Sequence, residues 1–473
     1  MELIKKNKER KVKHEIIMTE GPILSKMLMF AFPLMASSML QILFNAADIV
    51  VVGRFAGDNS LAAVGSTTSL VNLMVTLFLG LSVGANVVTA KYFGAQKSRE
   101  LGETIHTAIT VSLVSGAFLT VLGLIFAEPA LRLMQSPETV IHLAALYLRI
   151  YFIGMPAMMI YNFGSAMLRA KGDTQRPLYY LALAGVINVT LNLIFVIVLH
   201  MDVAGVAAAT VISQCVSAFL VVRCLCMEEG AMKLDLKKLK IHKQRLFAIL
   251  QVGLPAGFQG ILFSISNVLI QSAVNTYGDV AMAGNAASQN LEGFVYFGMQ
   301  AFYQAAISFT SQNMGAGKYE RISHIMRWSM ICTAAIGLIM GLIFYALGPV
   351  LLGIYSTSPD VIASGMIRMA FICAPYAICG LMDTMVGVLR GLGYSIVPMV
   401  VSLVGACLSR IVWISILFAV NDNPVIHLVY ASYPATWSLT LVAHCICYWW
   451  IMEHKIKPMH VKKLEREAEL TQI

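Results

Sequence analysis

Long apolar runs, rather than alternation or narrow apolar stripes, dominate the pattern of this chain. A bilayer core about 30 Å thick takes about 20 apolar residues per spanning helix. Runs of that order fall at 28–55, 61–90, 103–127, 141–168, 177–199, 203–226, 246–275, 283–311, 322–347, 361–389, 396–420 and 427–452. The segments between them are mostly short and carry Gly, Pro, Asp or Asn, as turns do. A membrane barrel would show short alternating segments instead. The pattern predicts an all-α polytopic membrane protein with twelve transmembrane helices. Composition agrees, since 58% of the 473 residues are apolar and only 12% are charged, unlike a soluble domain.

The runs form two matching sets. "FAGDNSLAAVG" (55–65) recurs loosely as "TYGDVAMAGNA" (276–286), "KYFGAQKSRE" (91–100) as "QNMGAGKYER" (312–321), and "LRAKGDTQRP" (168–177) as "LRGLGYSIVP" (389–398). Each pair is 221 residues apart, and "QSPETV" (135–140) answers "TSPDVI" (357–362) one residue out of step. A constant separation marks a tandem duplication. Each half holds six helices, so both insert the same way up, related by a pseudo-two-fold axis along the membrane normal. The expected organisation is an N-terminal segment 1–27, a first lobe 28–226, a charged joint 227–245, a second lobe 246–452 and a tail 453–473. Two such lobes suit alternating access about a central site. Arg149–Pro156 and Arg368–Pro375 repeat the same spacing, and the prolines predict kinks in helices 4 and 10.

Charge sets the orientation. With twelve crossings, all but five of the 34 basic residues (Arg54, Arg132, Arg149, Arg368 and Arg410) fall on the side of the N-terminus, beginning with the cluster Lys5–Lys13. The positive-inside rule then places both termini in the cytoplasm of a multi-pass cell-membrane protein. The +9 net charge reads as orientation and contact with anionic lipid, not as a nucleic-acid surface. The opening "MELIKKNKERKVKH" leads into a run too long for a signal peptide, so the first helix is read as its own insertion signal. The nine cysteines form no CxxC pair and read as reduced, small apolar side chains.

No catalytic constellation emerges, and the chain is expected to be neither an enzyme nor a cofactor carrier. "GAGK" (315–318) is followed by Tyr319 where a nucleotide loop needs Ser or Thr. HExxH and nucleophile-elbow motifs are absent, and the histidines are scattered. The repeated loops read as helix ends, with glycine permitting the turn and lysine facing the last carbonyls and lipid phosphates.

The informative residues are carboxylates inside apolar runs: Asp48 on helix 1, Glu292 on helix 8 and Asp383 on helix 10. A charge at mid-bilayer costs about 2.5–3.5 kcal/mol on insertion scales, so such groups face cavities and mark ion or substrate paths. Asn188 and Asn192, one turn apart on helix 5, share a face, and Thr210 on helix 6 adds a hydroxyl. If these helices converge, Asp48, Asn188, Asn192 and Thr210 form a polar nest. It either exchanges a proton or sodium ion or merely fastens three helices. Asp383 and Glu292, with Gln41, Gln259 and Asn267, are weaker candidates for a substrate cleft. Tyr448, Trp449 and Trp450 read as an interfacial belt.

Twelve helices in two halves, with "FNAADIVVVGRFAGD", "YFGAQK", "LRAKGDTQRP", "NVTLN" and "QNMGAGK" at these places, resemble the multidrug and toxic compound extrusion (MATE) family over roughly residues 20 to 455. The resemblance implies a two-lobed antiporter that expels organic cations and other amphipathic small molecules in exchange for protons or sodium. Bacterial members carry an aspartate on helix 1 with polar partners on helices 5 and 6, and Asp48, Asn188, Asn192 and Thr210 occupy those positions. Here Asn192 stands where aspartate is frequent, and residues 246–275 lack the glutamate that one branch carries on helix 7. Coupling is therefore expected in the first lobe, with a monomer sufficing. A flippase for a lipid-linked sugar is the alternative; it requires a strongly cationic cleft, for which Arg149, Arg368 and Arg410 are the only candidates.

Overall fold

The computed structural model describes residues 15–134, 137–420 and 425–471. The basic cluster Lys5–Lys13, the Gln135–Ser136 part of the "QSPETV" repeat and the last two residues of the tail lie outside them. Every expected apolar run is helical. The helices are α1 (Ile23–Phe55), α2 (Asp58–Gly94), α3 (Ser98–Leu133), α4 (Glu138–Ile153 and Met155–Lys171), α5 (Gln175–Asn192, continued by a π-helical turn Leu193–Val198) and α6 (Asp202–Cys226). The second set is α7 (Lys243–Asn275), α8 (Asp279–Gly315), α9 (Glu320–Ala346), α10 (Pro359–Phe371 and Tyr376–Gly391), α11 (Ile396–Ser402, the π-helical turn Leu403–Leu408, and Ser409–Val420) and α12 (Ile426–Ile451), whose tail carries a final helix α13 (Lys457–Thr471).

Nine of these helices are long and apolar enough to cross a bilayer, and the bent pairs of α4 and α10 raise the number to eleven among the described residues. The twelfth, α8, has the length at 37 residues but is more polar. Its polar side chains, among them Asn285, Ser288, Glu292, Ser308, Thr310 and Asn313, are buried in protein, so lipid does not dictate its composition. Side chains such as Phe118, Ile125, Val186, Phe219 and Val268 are exposed and form the apolar coat that a bilayer solvates.

Backbone geometry repeats with the sequence. Left-handed residues occur at Gly57 and Gly278, at Gly172 and Gly393, and at Gln96 and Gly317, each pair 221 residues apart. In the "GAQK" and "GAGK" turns the left-handed residue is thus the third of the motif, while Gly94 and Gly315 still belong to their helices. Both proline-marked helices break, by 48° in α4 and 47° in α10. Pro156 cannot donate to the carbonyl of Phe152 four residues back; Thr120 Oγ1 of α3 donates to it instead, at 2.7 Å.

The chain forms two compact units. Unit 1 comprises the residues up to Ile17 with Phe32–Gly257, and unit 2 comprises Met18–Ala31 with the chain from Phe258 onward. The divisions fall inside α1 and α7. In unit 1 the start of α7 packs on α2 through glycines: a Cβ on Gly253 would stand 2.7 Å from the Cα of Leu81, and one on Gly84 2.9 Å from the nitrogen of Gly253. Gly80/Gly84 and Gly253/Gly257 are each one turn apart, the small-xxx-small pattern that lets membrane helices approach closely. In unit 2 the "QNMGAGKYER" segment holds the entry to α1: Asn313, Lys318 and Arg321 donate to the carbonyls of Met18, Thr19 and Gly21 at 3.1, 3.0 and 3.0 Å. Lys318 thus serves a main-chain carbonyl outside its own helix. Of the expected aromatic belt, Trp449 and Trp450 are exposed, whereas Tyr448 is buried against Ile322 and Leu389.

At one end of unit 1, "LRAKGDTQRP" builds an ionic clamp. Lys171 pairs with Glu15 and, at 2.7 Å, with Glu228; Arg176 pairs with Asp173 and, at 2.5 Å, with Glu228. Buried Asp173 also accepts the backbone N–H groups of Gln175 and Arg176, both at 3.1 Å, and so caps α5. The Ile16 N–H donates to the carbonyl of Gly172 at 3.2 Å. Burial opposes ionisation of Glu228, but Lys171 and Arg176 outweigh it and hold its carboxyl below the usual range.

Two outcomes follow for detergent-solubilised protein. Gly84→Leu, which drives a side chain into α7, abolishes the monodisperse peak in size-exclusion chromatography, while Gly65→Leu, with open space around it, leaves it intact. Glu228→Gln lowers the thermal midpoint at pH 7, by less than the about 3–5 kcal/mol of an orphaned buried charge because each cation keeps one carboxylate. A depressed carboxyl stabilises fully above its unfolded value of about 4.3 and loses that contribution as pH falls through the folded value. The wild-type and Glu228→Gln midpoints therefore converge as pH falls from about 4.3 through the folded value.

Candidate functional site

Unit 1 brings together the four residues that the sequence singled out. Asp48 lies on α1 about 38 Å from its start, at 1.5 Å per residue. Asn188 and Asn192 come from the last turns of α5, where regular α-helix gives way to the π-helical turn Leu193–Val198. Such turns are frequent at functional sites. Thr210 comes from α6. Asn192 Nδ2 donates to Asp48 Oδ1 and lies 3.4 Å from Asn188 Oδ1. Asn188 Nδ2 donates to Thr210 Oγ1 at 3.3 Å, and Thr210 passes its own proton to the carbonyl of Val206 at 2.9 Å. One chain of hydrogen bonds thus links α1, α5 and α6.

Burial and charge distinguish this chain from simple fastening. Asn192 is fully buried and Asn188 nearly so, whereas Asp48 is only half-buried. Among the described residues, no cation lies within ion-pair distance of Asp48. The Asn192 amide turns its N–H side to the carboxylate and leaves Oδ1 buried without a partner, a defect of about 1–3 kcal/mol. Carboxylate, amide and hydroxyl oxygens from three helices are therefore close together around a single negative charge. Hard cations prefer such ligands, and a carboxylate in this setting can also take up a proton.

The weaker candidates separate. Gln41 on α1 and Asn267 on α7 are exposed. Gln259 is buried, accepting from Arg390 Nη2 at 2.7 Å and donating to Ser402 at 3.1 Å. Glu292 is buried in a two-toothed pair with Arg368, at 2.8 and 2.7 Å, and Arg368 also donates to Asn285 at 2.7 Å. Asp383 is half-buried and accepts from Tyr296 at 3.2 Å and Gln300 at 3.0 Å. Of the three arginines of interest, Arg149 is exposed beside Glu128 at 3.3 Å, Arg368 is neutralised by Glu292, and Arg410 has no carboxylate partner among the described residues.

The sequence reading missed the surroundings of Asp383. Tyr296 and Gln300 are four residues apart on α8 and so share a face, which the spacing alone reveals. Tyr376 stacks on Tyr296 (centroids 6.3 Å) and on Trp437 (5.5 Å). No local signal announces that row, because it joins α8, α10 and α12.

The two repeats keep their loops and differ inside. At the 221-residue offset, Asp48 faces Leu269, Asn188 faces Ser409 and Asn192 faces Trp413; in reverse, Glu292 faces Val71, Asp383 faces Asn162 and Arg410 faces Val189. Each unit has its own interior chemistry.

Comparison with known proteins bears on the whole chain. Residues 33–194 and 255–415, one stretch in each repeat, match the MatE family. The probable multidrug resistance protein YoeA of Bacillus subtilis is 27% identical over 428 residues, covering 88% of this chain and 91% of that protein. A FAD transporter of Shewanella oneidensis is 24% identical, covering 72% and 76%. The fold is shared with a multidrug resistance MATE family transporter of the MOP superfamily, solved in an outward-facing conformation, at a TM-score of 0.85 and 20% identity over 94% of this chain and 98% of the other. With both repeats matched, this chain is a multi-pass membrane protein belonging to the MATE family of transporters.

Proposed function

We propose that the protein is a secondary antiporter, exporting organic cations or amphipathic drug-like compounds in exchange for protons or sodium by alternating access, and that Asp48 is the coupling group. Both termini are cytoplasmic on this reading, by the distribution of basic residues, and a monomer suffices. The observation that carries it is the Asp48–Asn192 hydrogen bond with the orphaned Asn192 oxygen.

That bond suits an ionised, ion-free carboxylate. A sodium ion at Asp48 needs oxygen ligands, so the Asn192 amide must turn and present the oxygen that is now unpartnered. A proton on Asp48 removes the need for a donor from Asn192 and rewards the same turn, because the new O–H then donates to the amide oxygen. Either event re-forms the contact to Asn188 and, through it, to Thr210, so occupancy of one carboxylate reaches three helices. Coupling requires only that the two arrangements differ in ion affinity. Likeness to YoeA, a probable multidrug resistance protein, supports drug-like cargo, and likeness to the Shewanella FAD transporter indicates that cargo differs between relatives. The flippase alternative is disfavoured because Arg149 and Arg368 are already neutralised by carboxylates.

Proteoliposomes loaded with a fluorescent organic cation and given separate proton and sodium gradients test this. Wild-type protein moves the cation under at least one gradient, and Asp48→Asn abolishes the gradient-driven part. Asn192→Leu, of similar volume and without amide groups, raises the ion concentration for half-maximal rate at least tenfold, about 1.4 kcal/mol. Full gradient-driven transport by folded Asp48→Asn protein would remove Asp48 from the mechanism.

A further inference from the structure

Unit 2 holds a buried cation that no described residue neutralises. Arg410 lies near the middle of α11, directly after the π-helical turn Leu403–Leu408, and is 1% exposed. Its Nε and Nη2 both reach a single hydroxyl, Thr436 Oγ1, at 3.3 and 3.0 Å, and it makes no other hydrogen bond among the described residues. Its guanidinium lies over the ring of Tyr433 at 4.1 Å and near that of Trp437 at 5.9 Å. Rings attract a cation but cannot accept the forked pair of N–H bonds that a guanidinium offers to a planar anion.

The neighbouring charges do not fill the gap. Glu292 is consumed by Arg368, which shares the Tyr433 ring at 5.5 Å. Asp383 is held by Tyr296 and Gln300, and Arg390 by Tyr303 and Gln259. Among the described residues, three guanidiniums thus accompany two carboxylates in the interior of unit 2. Unit 1 shows the opposite balance around Asp48, and its residue at the repeat position of Arg410 is Val189. An aromatic row, Tyr296–Tyr376–Trp437–Tyr433, with steps of 6.3, 5.5 and 5.5 Å, leads from the half-buried surroundings of Asp383 to Arg410.

We propose that unit 2 contains an anion site centred on Arg410, which takes the carboxylate or phosphate group of a flat aromatic compound whose rings lie along Tyr376, Trp437 and Tyr433. Resting on the transport reading, this makes aromatic acids, including those with a cationic group at the far end, the favoured cargo. The unused N–H groups of Arg410 pair with the anion, and the rings cover its aromatic body.

The test is equilibrium binding to purified protein, with no gradient, of probes that share one ring system: 2-naphthoate, 2-naphthyl phosphate and 2-naphthylmethylammonium. Expected is at least tenfold tighter binding of one or both anions than of the cation; which anion binds tighter identifies the acid group preferred. Arg410→Gln abolishes the preference, Arg410→Lys retains part of it, and Arg149→Gln leaves it unchanged. Thr436→Asp supplies the missing carboxylate in place and also abolishes it, which keeps the test valid if the uncharged variant does not fold. Equal binding of cation and anions, or a preference that survives in folded Thr436→Asp protein, overturns the proposal. Acid binding without gradient-driven transport would refute the antiporter reading alone; cation transport without acid preference would refute the anion site alone.

Discussion

In a hydrocarbon surrounding, a polar group has no water to return to when its partner is lost. That constraint governs the interior of both units. The carbonyl left free by Pro156 is taken by Thr120, the guanidinium of Arg368 by Glu292 and Asn285, and the Asn188 amide by Thr210. Several other buried side-chain atoms have no partner among the described residues, Arg169 Nε and Arg390 Nε among them, but two cases bear on the sites above. Asn192 Oδ1 lacks any partner, and Arg410 has one hydroxyl where a carboxylate would fit.

These two lie beside π-helical turns. The π-helical turn of α5 begins immediately after Asn192, and that of α11 ends two residues before Arg410. An extra residue in a turn shifts the register of everything beyond it, which re-aims side chains toward the interior. The two turns do not occupy matching repeat positions, since at the 221-residue offset Leu193 faces Ile414, beyond the turn Leu403–Leu408; each unit places its own irregularity beside a different charge. Conservation of turn geometry between the repeats, with left-handed residues at matching positions, is compatible with complete divergence of the polar interiors. The turns serve folding and insertion, whereas the interiors serve whatever is bound.

The loops have more than a topological role. Lys171, Arg176 and Glu228 join the ends of α4, α5 and α6 to Glu15, ahead of α1, and the "QNMGAGKYER" turn of unit 2 holds the carbonyls of Met18, Thr19 and Gly21. The basic residues that read as orientation signals are therefore also structural ligands. A charge near a helix end can do both, because the ammonium or guanidinium that resists crossing the membrane also finds carbonyls and carboxylates there.

By itself, the sequence determined the helix count, the duplication, the two kinks and the membership of the polar nest. Length of apolar run, a constant 221-residue offset, Pro156 and Pro375, and an i, i+4 asparagine pair are all local or periodic signals, legible without knowing which helices touch. The division of α1 and α7 between two units, the pairing of Glu292 with Arg368, the company of Asp383 and the isolation of Arg410 were decided only by tertiary structure. Each depends on contacts between residues far apart in sequence. The same arginine reads identically in the chain whether or not a carboxylate from another helix arrives beside it, and only packing determines that Arg368 is neutralised and Arg410 is not.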